Sequence, residues 1–499
     1  MTNLADLVRE SAAARPDHPA LVTRTTQLTW AQVDQHVDRS ARALTGSGLR
    51  PGSRVALMIG NSPEFAIAYF GVLRAGMVAV PINTGYTSTE VTRLCKDSGA
   101  EVLLHDPARA KIGVSVAKRA TATRVLAIDS AVGLDMVGSG PGGRGAFAPP
   151  RTAAKDLAVL MYTSGSEGQP KGAMLSHGAM RANIDALARI RRPAAMEADD
   201  RLLLVLPMFH IYGLNAGLGL VAKVGATCIL LDRFEPRSSL AAVREFGVTN
   251  IAGAPPMYVS WSAEGSLRES MDGVRLLVSG ASALPPDVFA QFRTITGKPI
   301  WEGYGLTECC PVVTSTLVSR RPKAGSVGRP LAGVHVSLRD PSGQEVDEGD
   351  PGEVWVKAKS VLSGYWPDGS GGVDSGGWFH TGDVAILVED GDFRLVDRRR
   401  DLIIVSGFNV YPREVEAVMA THPAVAEVAV IGVPHPLTGE SVKAVVVLKK
   451  GVPEPDDLRA FCEARLARFK CPSLIEFAAR LPRAATGKIT KGKLKDVRE

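Results

Sequence analysis

From residue 27 to residue 105 the apolar positions switch repeatedly between two spacings. Around 30–45, 63–75 and 88–98 they follow the helical period, which predicts helices with a buried face. At 55–59, 78–80 and 102–105 they form short unbroken apolar runs, the mark of strands covered on both sides. Gly46, Gly76 and Gly99 stand where the three helices should stop. Such strands separated by helices imply a parallel sheet in an α/β fold. A Gly-rich connection over 137–150 feeds the next apolar run, Leu157 to Leu160. The alternation then returns, with strands expected at 202–206, 227–231 and 274–278 and a loop at 207–213. Beyond residue 400 the pattern becomes that of a small α+β module: a helix from Tyr411, strands at 426–431 and 442–447, and an amphipathic helix over 457–468. Two domains are expected, a large one over 1–399 built on doubly wound sheets and a small one over 400–499.

Composition narrows the class without fixing it. With 499 residues, 45% hydrophobic and 22% charged, the chain can bury two or more cores. The formal charge of +6 is spread thinly, and no run of five or more Lys or Arg marks a nucleic-acid arm, so an acidic small substrate explains the charge at least as well. Six cysteines (Cys95, Cys228, Cys309, Cys310, Cys462 and Cys471) form no Cys-x-x-Cys pair and no metal-ligand spacing, which fits reduced thiols of a cytoplasm. The N-terminus mixes acids and bases and lacks the apolar core of a signal peptide. The longest apolar stretch, 213–231, is interrupted by Asn215 and Lys223 and is no membrane span. Peripheral membrane contact and oligomeric state, monomer or homodimer, stay open at this stage.

The chemistry concentrates in four stretches. The first, Met161-Tyr-Thr-Ser-Gly-Ser-Glu-Gly-Gln-Pro-Lys-Gly172, follows an apolar run directly. Gly165, Gly168 and Gly172 allow the backbone to bring its N–H groups against an anion, Thr163, Ser164 and Ser166 add hydroxyl donors, and Lys171 adds a mobile positive charge. It is not the nucleoside-triphosphatase P-loop, because Pro170 precedes the lysine and Gly172 follows it. The second stretch is Trp301-Glu-Gly-Tyr-Gly-Leu-Thr-Glu308, where Tyr304 offers a ring to a planar base, Thr307 can reach a phosphate and Glu308 is a hard oxygen ligand suited to Mg²⁺. The third joins Trp378-Phe-His-Thr-Gly-Asp383 to the run from Asp397 to Gly407, and the fourth is Leu481-Pro-Arg-Ala-Ala-Thr-Gly-Lys488. Gly217-x-Gly219-x-x-Ala222 matches a dinucleotide fingerprint in form, but it follows a loop and lacks the distant acid. His210 could be a catalytic base or a metal ligand, yet no second His, Cys or carboxylate accompanies it at ligand spacing.

In this order and approximate spacing the motifs resemble those of the adenylate-forming superfamily, which holds acyl-CoA synthetases, peptide-synthetase adenylation domains and luciferases. The resemblance covers almost the whole chain, and its nearest form is the fatty acyl-CoA synthetase branch, through Glu302-Gly-Tyr-Gly-Leu-Thr-Glu-Cys309 and Val405-Ser-Gly-Phe-Asn-Val-Tyr-Pro412. It implies a distorted barrel within the large domain, a mobile small domain, and a ligase that turns a medium- to long-chain fatty acid into acyl-AMP and then acyl-CoA, with ATP, Mg²⁺ and coenzyme A. Alternatives are an acyl-AMP ligase serving a carrier protein, against which the absence of a long insertion counts, and a CoA ligase for an aryl or other apolar acid. By the resemblance, Lys488, Glu308 and Lys171 are catalytic and Thr163 joins Glu308 at the metal. The nucleotide is held by Thr163, Ser164, Gly165, Ser166, Gly168, Lys171, Gly280, Ala281, Ser282, Glu302, Gly303, Tyr304, Gly305, Thr307 and Lys488, with Asp383 and Arg398 on the ribose. His210, Gly213 and Gly303 would line the acyl pocket, Arg400 is the hinge, and Gly407 and Phe408 face the CoA tunnel. Departures are Ser166-Glu167 where Thr-Thr is usual, and Arg400 where Lys or Asp is usual.

Overall fold

The computed structural model describes residues 3–128, 147–163, 170–319, 321–398, 401, 403–405, 408–435, 439–483 and 489–494. The chain forms two compact units, one of 1–335 and 356–379, the other of 336–355 and 380–499.

Two sheets carry the first unit. The six-stranded sheet runs from edge to edge Arg124–Ala127, Val102–His105, Arg54–Met58, Val78–Pro81, Leu157–Thr163 and Lys171–Ser176. Its first five strands are parallel, and the last turns back against Leu157–Thr163 with Thr163 opposite Lys171. The helices between them obey their local signals. Trp30–Gly46 starts at a capping box of Thr29 and Gln32, Pro63–Arg74 at Ser62 with proline in its first position, and Ser88–Ser98 at Thr87 and Glu90 before ending on Gly99 with φ 59°. Pro63–Arg74 is buried along its whole length, as expected of a helix packed between other elements.

The nine-stranded sheet has the order Arg329–Pro330, Val312–Ser315, Trp301–Gly305, Leu276–Ser279, Asn250–Gly253, Arg201–Leu204, Thr227–Leu230, Pro19–Val22 and Gln27–Thr29. The six strands from Trp301–Gly305 to Pro19–Val22 are parallel, and Val312–Ser315 reverses direction after them. Two expectations shift here. The loop expected at 207–213 gives way by Tyr212 to a π-helix, Tyr212–Gly219, so the glycines of the apparent dinucleotide fingerprint lie inside a wide helical turn. A Cβ on Gly213 would stand 2.6 Å from the Pro207 carbonyl oxygen, which explains why that residue is glycine.

In the second unit the strands are Val334–Arg339, Gly352–Ala358, Phe379–Leu387 and Phe393–Arg398, in that order, and a five-stranded sheet of Phe408–Val410, Ile403–Val405, Gly439–Leu448 and Val425–His435 with Leu474–Phe477 on the flank of Gly439–Leu448. The helix Pro412–Ala420 seals a core of Ile403, Val410, Val415, Met419 and Val430. The helix expected over 457–468 spans only Leu458–Glu463, because the chain then tightens onto the Cys462 carbonyl through Arg465 and Leu466 and Arg465 folds back over the Phe461 ring at 3.6 Å. Among the described residues no helix is long and apolar enough to cross a membrane.

A buried ion cluster ties the first helices together. Arg74, 2% exposed, donates to Asp34 at 2.6 Å and Asp38 at 2.7 Å and to the Asp34 and Ala5 carbonyls. Removing the guanidinium leaves carboxylates facing each other across apolar surroundings, so Arg74→Ala should cost about 3–5 kcal/mol and lower the urea midpoint of unfolding accordingly.

Candidate active site

Both charged residues singled out in the first unit stand where a strand reverses. Lys171 opens the antiparallel strand beside Thr163, whose hydroxyl reaches the Lys171 carbonyl only at 3.5 Å. Glu308 sits in a single turn, Thr307–Cys309, between Trp301–Gly305 and Val312–Ser315. The two are linked by a residue outside the four stretches, Tyr365: its hydroxyl donates to Glu308 Oε1 at 2.7 Å, and Lys171 Nζ lies 5.8 Å from the centre of its ring. Glu308 Oε2 has no partner among the described residues.

The backbone behind Glu308 is fixed by buried amides. Asn215 Nδ2 donates to the Cys310 carbonyl at 2.5 Å, and Asn183 Nδ2 donates to the Val312 carbonyl at 2.7 Å. A Cβ on Gly305 would sit 2.0 Å from the Pro311 carbonyl oxygen, and one on Gly303 3.0 Å from that of Thr314. Both glycines therefore admit the neighbouring strand closely, whatever else they do. Tyr304 between them is buried at 8% exposure. At the end of Leu276–Ser279, Gly280 lies against the Tyr212 ring, Ala281 takes φ 70°, a left-handed conformation that an alanine adopts only under constraint, and Ser282 follows at the surface.

Glu302 is the most perturbed acid here. It is 4% exposed; Oε2 accepts from the Leu284 amide at 3.1 Å and Oε1 has no partner. Burial pushes its carboxyl up to about 7, against the pull of the Leu284 and Gly325 amides. His210 Nδ1 accepts from the Tyr212 amide at 3.3 Å, beside Gly213. Tyr212 also ends in a buried hydroxyl with no partner, and burial raises its pKa far above the usual phenol value.

In the second unit Asp383, 9% exposed, takes the Thr381 hydroxyl on its amide at 3.1 Å and lies opposite Arg398 in the ladder of Phe379–Leu387 and Phe393–Arg398. Phe408 begins a strand against Ile403–Val405. Ser164, Gly165, Ser166, Glu167, Gly168, Arg400, Gly407 and Lys488 lie outside the described residues.

Tyr365, Asn183, Asn215 and the Tyr212 hydroxyl were not read from sequence. Only the Gly364-Tyr365-Trp366 triplet in a linker offered a signal, since the asparagines act through backbone carbonyls that no motif records.

Among the described residues no group of three His, Cys, Asp or Glu side chains is arranged to hold a metal. A carboxylate and a lysine gathered about one tyrosine, each where a strand of an α/β sheet reverses, form a site suited to a charged small ligand. The sequence agrees: residues 8–366 match the AMP-binding enzyme family and 414–488 its C-terminal domain, and the chain belongs to this family. A long-chain-fatty-acid–CoA ligase of Yersinia pestis is 34% identical over 531 residues, covering 99% of this chain and 94% of that protein. A feruloyl-CoA synthase of Amycolatopsis sp is 37% identical over 479 residues, 94% of each. The ATP-bound crystal structure of MatB from Rhodopseudomonas palustris superposes with a TM-score of 0.90 at 32% identity, covering 99% of this chain and 98% of that one. The protein is an ATP-dependent, AMP-forming acyl-CoA synthetase.

Because the Glu302 carboxyl is raised from 4.5 to about 7, folding favours its neutral form. The stability this contributes is complete below pH 4.5 and is lost as pH rises through 7. Glu302→Gln, which keeps one acceptor for the amides and removes the titration, should gain on the parent by roughly 2–3 kcal/mol between pH 5 and pH 8 in denaturant unfolding.

Proposed function

We propose that the acid is a fatty acid of medium to long chain, activated as acyl-AMP and passed to coenzyme A. The observation that carries this reading is the surrounding of Gly303: among the described residues the three atoms nearest to a Cβ placed there belong to the Thr314 carbonyl and the Ser315 side chain, and none is cationic. Relatives specific for dicarboxylates resemble this chain but place an arginine just before Tyr-Gly. A distal carboxylate buried here would stay unpaired, which is costly.

In this scheme the acid's carboxylate attacks the α-phosphate of ATP, and the CoA thiol then displaces AMP from the acyl carbonyl. Lys171 and the amides of 164–168 neutralise the departing pyrophosphate, Thr163 and Thr307 donate to phosphate oxygens, and Glu308 with Thr163 would hold Mg²⁺. The residues suit that ion, since Glu308 keeps one oxygen without a partner and the Thr163 hydroxyl is held only at 3.5 Å. Bound there, Mg²⁺ would neutralise phosphate charge. Gly280 to Ser282 and Glu302 to Gly305 enclose the base, Asp383 and Arg398 orient the ribose, and His210 and Gly213 border the acid. Lys488 bridges carboxylate and α-phosphate in the first step. The small domain, taken as 400–499, then turns about Arg400 so that Gly407 and Phe408 line the path of pantetheine.

A second reading is an aryl acid with a polar ring substituent. It is favoured by the Tyr212 hydroxyl, buried beside Gly280 with no partner, and by the similarity to a feruloyl-CoA synthase.

AMP release in the presence of CoA, measured across octanoate, palmitate, benzoate, ferulate and malonate, tests both. Octanoate or palmitate should lead and malonate should be rejected; a lead for ferulate selects the second reading, and one for malonate overturns both. The division of labour has its own measurement. Lys488→Ala should slow acyl-AMP formation by about 10²–10³-fold, comparable to losing one oxyanion-hole donor. Thioester formation from presynthesised acyl-AMP should be spared, and equal losses in both steps would remove Lys488 from adenylation chemistry.

A further inference from the structure

The Lys171–Tyr365–Glu308 arrangement contains an unexpected absence. A lysine and a glutamate that share a neighbour ordinarily meet, yet among the described residues no ion pair joins these two, and both touch Tyr365 instead. The tyrosine is not there by chance of rotamer alone, because its backbone is anchored on three sides. Trp366 N–H donates to the Gly172 carbonyl at 2.8 Å, Met174 N–H to that of Gly364 at 3.0 Å, and Leu362 N–H to that of Glu308 at 2.8 Å. Trp366 adds an indole bond to the Asp97 carbonyl at 2.8 Å and takes the Arg54 guanidinium over its ring. The strap over 361–372 is thus tied to the strand of Lys171 and to the turn of Glu308.

The geometry points to Tyr365 as a positioning residue that keeps Lys171 and Glu308 apart and ready. Its hydroxyl occupies Oε1 of Glu308 and leaves Oε2 turned to a cation, while its ring face holds the Lys171 ammonium by a weak attraction that a triphosphate easily outcompetes. Without the ring between them, the two side chains would neutralise each other, and ATP would have to break that pair before binding. The assignment rests on the reading of Lys171 as a phosphate ligand and Glu308 as a magnesium ligand.

Calorimetric titration of ATP into the full-length protein, with no acid present so that nothing turns over, separates the two charges. Binding in EDTA reports Lys171; the gain in affinity on adding Mg²⁺ reports Glu308. Tyr365→Phe keeps the ring and loses the hydroxyl. It should bind ATP in EDTA like the parent, with the magnesium gain reduced about tenfold, the scale of one hydrogen bond to a charged group. Tyr365→Ala removes both contacts and should also weaken binding in EDTA about tenfold, a loss that adding Glu308→Gln should reverse by removing the competing partner. A parental magnesium gain in Tyr365→Phe overturns the role of the hydroxyl, and a loss in Tyr365→Ala that Glu308→Gln leaves untouched overturns the separation. If Tyr365→Ala does not fold, the Tyr365→Phe result decides alone. A parent that binds ATP equally with and without Mg²⁺ would instead refute the metal reading of Glu308 and take this assignment with it.

Discussion

If Glu308 works beside a polyphosphate, as proposed, its carboxylate is repelled by its own ligand. Two unit charges 4 Å apart interact by about 4 kcal/mol at an effective dielectric near 20, so such a group serves only if it is held still and a cation lies within reach. Much of the first unit meets that demand at Glu308. Asn183 and Asn215 grip the carbonyls behind it, Gly305 lets the reversing strand press against Pro311, and Tyr365 fixes one of its oxygens. These groups come from separate helices, strands and a linker, so the position of one carboxylate is the product of most of the unit's packing.

The two sheets place their charges by the same device. Each is a set of parallel strands followed by one that turns back, Lys171–Ser176 in one and Val312–Ser315 in the other. The reversal puts the intervening residues at the carboxyl ends of the parallel strands, the edge where open α/β sheets bind ligands. Lys171 and Glu308 each occupy such a turn, and the strap that carries Tyr365 spans from one to the other.

The elements of 27–105 were legible to within a residue or two, because period, caps and terminating glycines agree there. The stretches carrying Lys171 and Glu308 also stood out, because glycines, hydroxyls and single charges are crowded there directly after apolar runs. What was not legible acts across the sequence. Asn183 and Tyr365 lie 129 and 57 positions from the residues whose carbonyl or carboxyl they bind, and no local pattern records those contacts. Gly303 and Gly305 were read as residues that hold the nucleotide, and their neighbours show that strand packing by itself already favours glycine at both. The helix expected over 457–468 shows the opposite error, since an amphipathic pattern says nothing about where an arginine folds back and tightens the chain.

The start of the chain is bound to partners made much later. Leu4 N–H donates to His177 Nδ1 at 3.0 Å, and the strand Pro19–Val22, with Leu21 at 1% exposure, pairs with Thr227–Leu230. On a ribosome adding about 5–20 residues per second, that apolar strand waits roughly 10–45 s for its partner to be synthesised. During synthesis the side of the first strand not taken by Gln27–Thr29 is therefore an open sticky edge, a target for chaperones, and the nine-stranded sheet cannot close around its own beginning until nearly half the protein has been translated.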